Sequence, residues 1–337
     1  MNADARAATA RAGAMEWPTV AMLAITYGVW VAAALFLYPV SPLLALVVMA
    51  IAGAQHSSLQ HEVLHGHPTR IGWLNELFVS LPLTLAYPYR RFKALHLRHH
   101  CDERLTDPYD DPESYYLAEK DWNALSAPMR ALLTANNTLL GRMILGPALM
   151  VFGFWRAEMK LVWANVKGLR DAWVRHAIGL AALVLIVTQG FGIPLWQYML
   201  AAYGGLSLIA IRTFCEHRWA EDPKGRTIIV ERAPLLSLLF LNNNLHLVHH
   251  TFPNVAWYRL PALLDARRDE WKTMNGGYVF ASYREIFARW ALKAKEPVTH
   301  PALRREALAG RAFHPRMRAA TAGPANSCGV PAQKQDD

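Results

Sequence analysis

The pentapeptide His246-Leu247-Val248-His249-His250 repeats, with one change, the earlier stretch His96-Leu97-Arg98-His99-His100. Residues three and four positions apart share one face of an α-helix, so each copy presents three imidazoles to the same side. A third stretch, His61-Glu62-Val63-Leu64-His65, adds a pair with the same spacing. These eight histidines belong to a chain that has 14 in total. A single histidine is most often a hydrogen-bonded core or surface residue, but this density predicts a metal site.

Long uncharged segments indicate that a membrane protein carries these histidines. The chain of 337 residues is 53% hydrophobic, and residues 17–60 contain no Asp, Glu, Lys or Arg. At 1.5 Å per residue this run is about twice the length of one crossing, so it predicts spans at about 17–38 and 43–60. A second charge-free run predicts another hairpin, with spans at about 177–193 and 195–211.

Two other apolar stretches do not fit a simple crossing. Residues 71–89 carry Glu76, Pro82 and Pro88, which predicts an interfacial or re-entrant segment. The apolar stretch 143–155 is too short to span, and the basic residues after it predict a helix on the cytoplasmic surface. The predicted fold is therefore an all-α integral membrane protein, with four transmembrane helices in two hairpins, interfacial helices and a cytosolic cap that carries the histidines.

The distribution of charge orients this arrangement. The net charge is +9, and both predicted outer loops are free of charge. Under the positive-inside rule, both termini and all the histidine stretches are expected on the cytoplasmic side. Basic residues placed in this way favour an anionic membrane surface over nucleic acid as the partner. The predicted organisation is a cytoplasmic tail at 1–16, a membrane domain at 17–295 and a basic, disordered tail at 296–337.

The type of ligand limits which metals the site can bind. Imidazole suits zinc, iron, copper and nickel, whereas magnesium and calcium prefer carboxylates. Eight histidines exceed the four ligands of tetrahedral zinc, which predicts two metal ions. The three cysteines, Cys101, Cys215 and Cys328, are too scattered for a thiolate cluster or a disulfide framework. An alternative interpretation takes residues 61–65 as the H-E-x-x-H signature of a zinc metalloprotease, which would leave most of the other histidines without a role.

The order of these motifs resembles the membrane fatty acid desaturase superfamily. An H-x-x-x-H at the end of the second predicted span is followed by H-x-x-H-H, a second hairpin and another H-x-x-H-H. The resemblance covers residues 61–261, and the flanks at 106–112 and 242–244 look like those of bacterial members. It implies the fold of that superfamily, a non-haem di-iron centre and a place in a bacterial inner membrane.

The resemblance also implies which residues bind the metals. Members of the superfamily commonly add a ninth histidine just after the fourth span, where this chain has His217. The implied iron ligands are His61, His65, His96, His99, His100, His217, His246, His249 and His250. Candidates for residues that support these ligands from behind are His56, His67 and Asn244. The acidic residues between 102 and 113 could orient ligand imidazoles or dock an electron donor, but a solvated loop is the expected arrangement.

The implied chemistry is the removal of hydrogen from an unactivated C–H bond, with two iron ions and O2. A fatty acyl desaturase acting on a lipid or acyl substrate is the leading hypothesis, and a hydroxylase or ketolase of an alkane, carotenoid or other small molecule is the alternative. The chain has no haem-attachment motif, no cluster of four cysteines and no glycine-rich dinucleotide motif. A separate ferredoxin, rubredoxin or cytochrome with its reductase is therefore expected to supply electrons.

Overall fold

A computed structural model describes residues 15–100 and 104–302 of the chain. The predicted tails therefore lie largely outside the described residues. The longer helices are α1 (Trp17–Leu37), α2 (Pro42–Leu64), α4 (Tyr89–His99), α6 (Ala127–Asn136), α7 (Leu139–Trp163), α8 (Leu169–Gly190), α9 (Leu195–Cys215) and α14 (Tyr283–Trp290). The shorter elements are α3 (Gly72–Phe78), α5 (Glu119–Asn123), β1 (Ile229–Arg232), α10 (Pro234–Leu239), α11 (His246–Thr251), α12 (Leu260–Ala266), α13 (Arg268–Met274) and β2 (Val279–Ser282).

Within the described residues, α1, α2, α7, α8 and α9 are long and apolar enough to cross a membrane. The sequence of α1 shows how such a helix is placed. Its buried side chains Thr19, Leu23 and Trp30 recur at helical spacing and face the protein. Ile25 and Phe36 point outward, where 55% and 74% of their surface is exposed. An apolar surface of this kind suits contact with lipid tails, which confirms the prediction of an integral membrane protein.

Small residues let α2 and α9 approach closely. A Cβ added at Gly205 in α9 would lie only 3.0 Å from the backbone oxygen of Ala50 in α2, and one added at Gly204 would lie 3.0 Å from the Ala50 Cβ. Close backbone approach at small residues is the usual way in which helices associate where water supplies no driving force. This contact buries the C-terminal half of α2, including His61, inside the protein.

Helix α7 differs from the sequence prediction. From the sequence, the apolar stretch 143–155 is too short to span a membrane, but the helix that contains it has 25 residues and passes through Pro147 without ending. Its length is about 37 Å at 1.5 Å per residue, so length and composition allow a fifth crossing. Helix α8 also begins earlier than predicted, at Leu169 rather than 177, because its charged first turns are accommodated at an exposed surface.

The cap contains a small sheet that an all-α prediction missed. Strands β1 and β2 are four residues each and pair in parallel, with Ile229 opposite Val279. Strands this short leave little alternation in the sequence for recognition. The ordered chain also extends past the predicted boundary at 295, because the Leu117 amide donates to the Val298 carbonyl and the His300 amide donates to the Leu117 carbonyl. Residues 296–302 are therefore part of the folded cap.

Candidate metal centre

One group of five histidines comes from three separate helices. Each of its members offers a ring nitrogen, and these nitrogens all lie within 4.8 Å of one another. The Nε2 atom of His100 lies 2.9 Å from that of His96 and 3.2 Å from that of His249. All five side chains are buried. The members of this five-histidine group are His61 of α2 and His65 directly after it, His96 of α4 and His100 directly after it, and His249 of α11.

A second group of four histidines lies beside the first. The Nε2 atom of His217 lies 2.9 Å from that of His99 and 3.1 Å from that of His246. The rings of His100 and His250 stack across the two groups with centroids 4.2 Å apart. The members of this four-histidine group are His99, His217, His246 and His250. The structure thus brings together all nine histidines singled out as candidate ligands and divides them between two adjacent groups.

The hydrogen-bond partners of Nδ1 in three of these histidines fix the direction in which Nε2 points. The Nδ1 atoms of His96 and His99 lie 2.8 Å from Glu113 Oε1 and 2.7 Å from Asp111 Oδ1, and His246 Nδ1 lies 2.9 Å from Asn243 Oδ1. These oxygens accept hydrogen bonds, so the ring proton belongs on Nδ1 and Nε2 carries a lone pair. In their neutral form, these three imidazoles aim lone pairs into the two groups.

These lone pairs are spaced as metal ligands are. For a metal–nitrogen bond of about 2.0–2.1 Å, neighbouring ligand atoms around one ion are about 3 Å apart. The Nε2–Nε2 distances of 2.9–3.2 Å match that separation. The Nε2 atoms of His61 and His65 are buried without a hydrogen-bond partner. Buried polar atoms rarely stay unsatisfied, so both groups fit metal ions.

Burial keeps most of these imidazoles in the form that binds metal. It lowers the pKa of His65, His100, His217 and His249 well below the usual range, and neighbouring histidines add to the effect. Neutral imidazole is the ligand form. His99 differs: burial lowers its pKa, but Asp111 and Glu113 outweigh burial and raise it to about 9. A metal at the four-histidine group must therefore displace a proton from His99, and acid opposes its binding.

The third histidine stretch is held by the small sheet. Helix α11 is only six residues long, and it follows a turn in which Leu241 and Asn242 have φ near +50° and +55°. The Val230 amide of β1 donates to the Asn244 carbonyl at 2.9 Å, and the Asn244 side chain donates to the Val230 carbonyl at 2.7 Å. Strand β1 thus fixes the position of His246, which a six-residue helix could not fix alone.

Residues predicted to support the ligands have other contacts. Asn244 contacts β1, whereas the neighbouring Asn243 contacts His246. His56 lies deeper in α2, with its Nε2 atom 3.0 Å from the Tyr27 hydroxyl. His67 lies with Glu16 and Glu62, and its Nδ1 atom is 2.7 Å from Glu16 Oε2.

The loop predicted to be solvated contributes a buried carboxylate next to the ligands, and Glu216 contributes a second one. Asp111 is buried and accepts from the Thr106 amide as well as from His99. Glu216, buried beside His217, pairs with Arg212 and accepts from the Asn243 side chain at 2.9 Å. A sequence signal existed for both carboxylates, because one lies close after the second histidine stretch and the other directly precedes His217.

Comparison with known proteins agrees with this geometry. The model of the family described as fatty acid desaturase matches residues 34–282, which include all nine histidines. A sphingolipid delta(4)-desaturase of Komagataella phaffii (strain GS115 / ATCC 20864) is 27% identical over 242 residues. That region is 67% of this chain and 61% of the relative, so the chain spans less than two thirds of the relative's length. Because the family match extends over most of the chain and both histidine groups, this chain belongs to the fatty acid desaturase family.

Proposed function

We propose that this protein is a membrane-bound, O2-dependent di-iron oxidoreductase that introduces a double bond into an acyl chain of a lipid. The observation that carries this proposal is the convergence of nine imidazoles into two adjacent groups. The five-histidine group would hold one iron ion and the four-histidine group the other. With O2 and two electrons, such a pair of ions supplies an oxidant strong enough to remove hydrogen from an unactivated C–H bond.

The surrounding residues prepare the site for that chemistry. Asp111, Glu113 and Asn243 hold the rings of three ligands in orientation and keep their protons on Nδ1. Burial of the imidazoles excludes bulk water, which would otherwise quench a reactive oxidant. The apolar outer faces of the long helices give an acyl chain in the bilayer a route to the protein.

Two parts of the proposal concern the setting of the enzyme. We place the histidine groups and both termini on the cytoplasmic side of a bacterial inner membrane, where the basic residues favour that orientation. The electron donor is a separate ferredoxin, rubredoxin or cytochrome with its reductase. Membrane lipids and the donor are then the partners of the protein.

The metalloprotease interpretation receives no support from Glu62. A protease of the H-E-x-x-H type needs this carboxylate as a general base beside the metal-bound water. Here Glu62 Oε1 accepts from the Trp257 amide at 3.0 Å and lies 3.8 Å from His67 Nε2. The carboxylate is therefore engaged with a loop and with a histidine outside the two groups.

Metal analysis and lipid analysis of one expression experiment test the proposal. We expect about two irons per chain in the purified protein, and new unsaturation in lipids from cells that express it. Both fatty acids and long-chain bases need analysis by gas chromatography, because the relative acts on sphingolipids. A His249→Ala chain expressed to the same level is the matched control. One zinc and no iron would overturn the proposal, and a hydroxylated product would support the hydroxylase alternative.

A further inference from the structure

A cavity of about 70 Å³ lies where the end of α6 and the start of α7 meet the segments around Tyr115 and Val298. One part of its wall is apolar, with Leu117, Leu133 and Val298. The other part is polar, with Asn136, Asn137 and Arg142, and the ring of Tyr115 completes it. The cavity therefore offers a polar end and an aliphatic end to one small ligand.

Arg142 is the charged residue in this cavity. Its side chain is buried, and its Nε atom donates to the Asn136 carbonyl at 3.0 Å. The guanidinium carbon lies 4.9 Å from the centroid of the Tyr115 ring. These contacts use one of its five N–H groups in a hydrogen bond. Guanidinium is always charged, so the remaining donors favour an anion.

The described residues do not supply that anion. Across residues 15–100 and 104–302, no carboxylate oxygen lies within 4.0 Å of a nitrogen of Arg142. A second cation, the half-buried Lys295, lies on the same aromatic ring, with Nζ 4.9 Å from the Tyr115 centroid. The Glu296 carboxylate accepts from the Tyr115 hydroxyl at 3.3 Å and offsets part of this positive charge. It forms no ion pair with Arg142, and a buried charge without a partner is costly. The local charge therefore favours a negatively charged ligand.

Asn136 lies beside Arg142 in the wall of this cavity. A Cβ added at Gly146 would lie 2.9 Å from Arg142 Cδ and 3.3 Å from Asn136 Oδ1, so a larger residue there would crowd both. Asn136 Oδ1 is buried without a hydrogen-bond partner. A half-turn of this amide would present its NH2 group to the cavity instead, where it would donate beside Arg142.

We propose that this cavity binds the carboxylate of an aliphatic acid, with the carboxylate paired to Arg142 and the first carbons of the chain against Leu117, Leu133 and Val298. Arg142 offers a carboxylate two parallel N–H donors, which is the geometry that guanidinium favours. The aliphatic wall distinguishes such a ligand from an inorganic anion of similar size. Tyr115 lines the cavity and donates to the His217 carbonyl at 2.9 Å, so the ligand would lie one side chain away from the four-histidine group.

Thermal unfolding and calorimetry of the full chain in neutral-lipid nanodiscs test this assignment. We expect butyrate to bind with millimolar affinity and to raise Tm, while butyramide and inorganic phosphate at equal ionic strength do not. Arg142→Gln should weaken butyrate binding at least about tenfold, because a charge-assisted hydrogen-bond pair is lost. Arg130→Gln, in the preceding helix and outside the cavity, is the matched control and should bind butyrate as the unaltered chain does.

A second variant keeps the test decisive if Arg142→Gln does not fold. Asn136→Asp places a tethered carboxylate beside Arg142, so we expect a higher Tm without ligand and no further rise with butyrate. An equal response to butyramide, or a response to butyrate that survives in Asn136→Asp, would overturn the assignment. Binding is measured without turnover, so its failure would leave the proposed reaction untouched.

Discussion

Asp111 shows how a single side chain can orient a candidate metal ligand. It is buried, its Oδ1 accepts a hydrogen bond from His99 Nδ1 at 2.7 Å, and its other oxygen accepts from the Thr106 amide at 2.8 Å. The backbone contact fixes the carboxylate, and the carboxylate in turn fixes the imidazole. A carboxylate on the outer nitrogen strengthens histidine as a ligand, and loss of such a contact typically costs 10–100-fold in metal affinity.

Asp111→Asn is therefore expected to lower iron affinity about 10–100-fold at the four-histidine group, since the amide keeps the shape but not the charge. The measurement is the iron retained per chain during titration with a chelator. Asp110→Asn is the matched control, because that carboxylate is 53% exposed and pairs with Arg98 rather than with a ligand. Equal retention in both variants would contradict the role assigned to Asp111.

His249→Ala should remove one ligand from the five-histidine group and abolish product formation. Loss of one of the five ligands weakens the binding of that ion, so we expect fewer than two irons per chain. His176→Ala, which removes a histidine from α8 outside both groups, should keep two. Retained oxidation by His249→Ala would refute its place among the ligands.

Glu62→Gln separates the oxidoreductase from the protease. An amide oxygen can still accept from the Trp257 amide, so we expect the variant to keep its iron and a measurable part of its activity. A metalloprotease would lose nearly all activity with the same change, because its general base would be gone. The comparison needs product per iron rather than product per chain, since Glu62 also lies 3.8 Å from His67.

At the scale of elements, the contact between α2 and α9 controls the position of His61. A Cβ at Gly205 would meet backbone rather than a movable side chain, so the two helices would have to separate. Gly205→Ala is expected to destabilise the protein by about 1–3 kcal/mol, as overpacking usually does. Thermal unfolding in nanodiscs measures the effect, and iron loss should accompany it.

Gly28→Ala is the matched control for that change. Gly28 lies in α1, and a Cβ added there would have no atom within 4 Å. Its replacement should leave Tm unchanged or raise it slightly, because alanine favours the helix. A similar loss of stability in both variants would show that the effect comes from the glycine itself and not from close packing.

At the scale of the whole molecule, the histidine groups constrain the membrane topology. His65 follows α2 and His217 follows α9, yet both lie in the same pair of adjacent groups. An even number of crossings must therefore separate them. Both ends of helix α7 contact segments on the side of the molecule that carries the histidine groups. Arg142, near its start, lies over the ring of Tyr115, and Glu158, near its end, pairs with Arg91 of α4. We infer that α8 and α9 cross the membrane, whereas α7 begins and ends on the same side of it.

Labelling of single cysteines in intact cells tests this inference. In a chain whose native cysteines are replaced by serine, Lys167→Cys lies between α7 and α8, and Gly192→Cys lies between α8 and α9. With α7 confined to one side, a membrane-impermeant maleimide should label Gly192→Cys and not Lys167→Cys. Label at Lys167→Cys would instead place α7 across the membrane. Val40→Cys, in the loop between α1 and α2, serves as the positive control for the outer side.

The long helices and the ligand types could be predicted from sequence for one physical reason: each leaves a local pattern. A charge-free run long enough to cross a bilayer is visible without any tertiary information, as is the spacing of His96, His99 and His100 on one helix face. The sequence made Asp111 and Glu113 candidates for contact with the histidines but could not settle it, because an acidic loop looks the same in sequence whether it is solvated or turned inward.

The sequence by itself determined that this chain is a helical membrane protein and predicted imidazole ligands for metal, since hydropathy and helical periodicity act over neighbouring residues. Only the tertiary structure decided that the nine histidines divide into groups of five and four, with adjacent His99 and His100 in different groups. It also decided that Asn243 rather than Asn244 contacts His246. These assignments depend on where α2, α4, α9 and α11 meet, and long-range packing of that kind leaves no local signal.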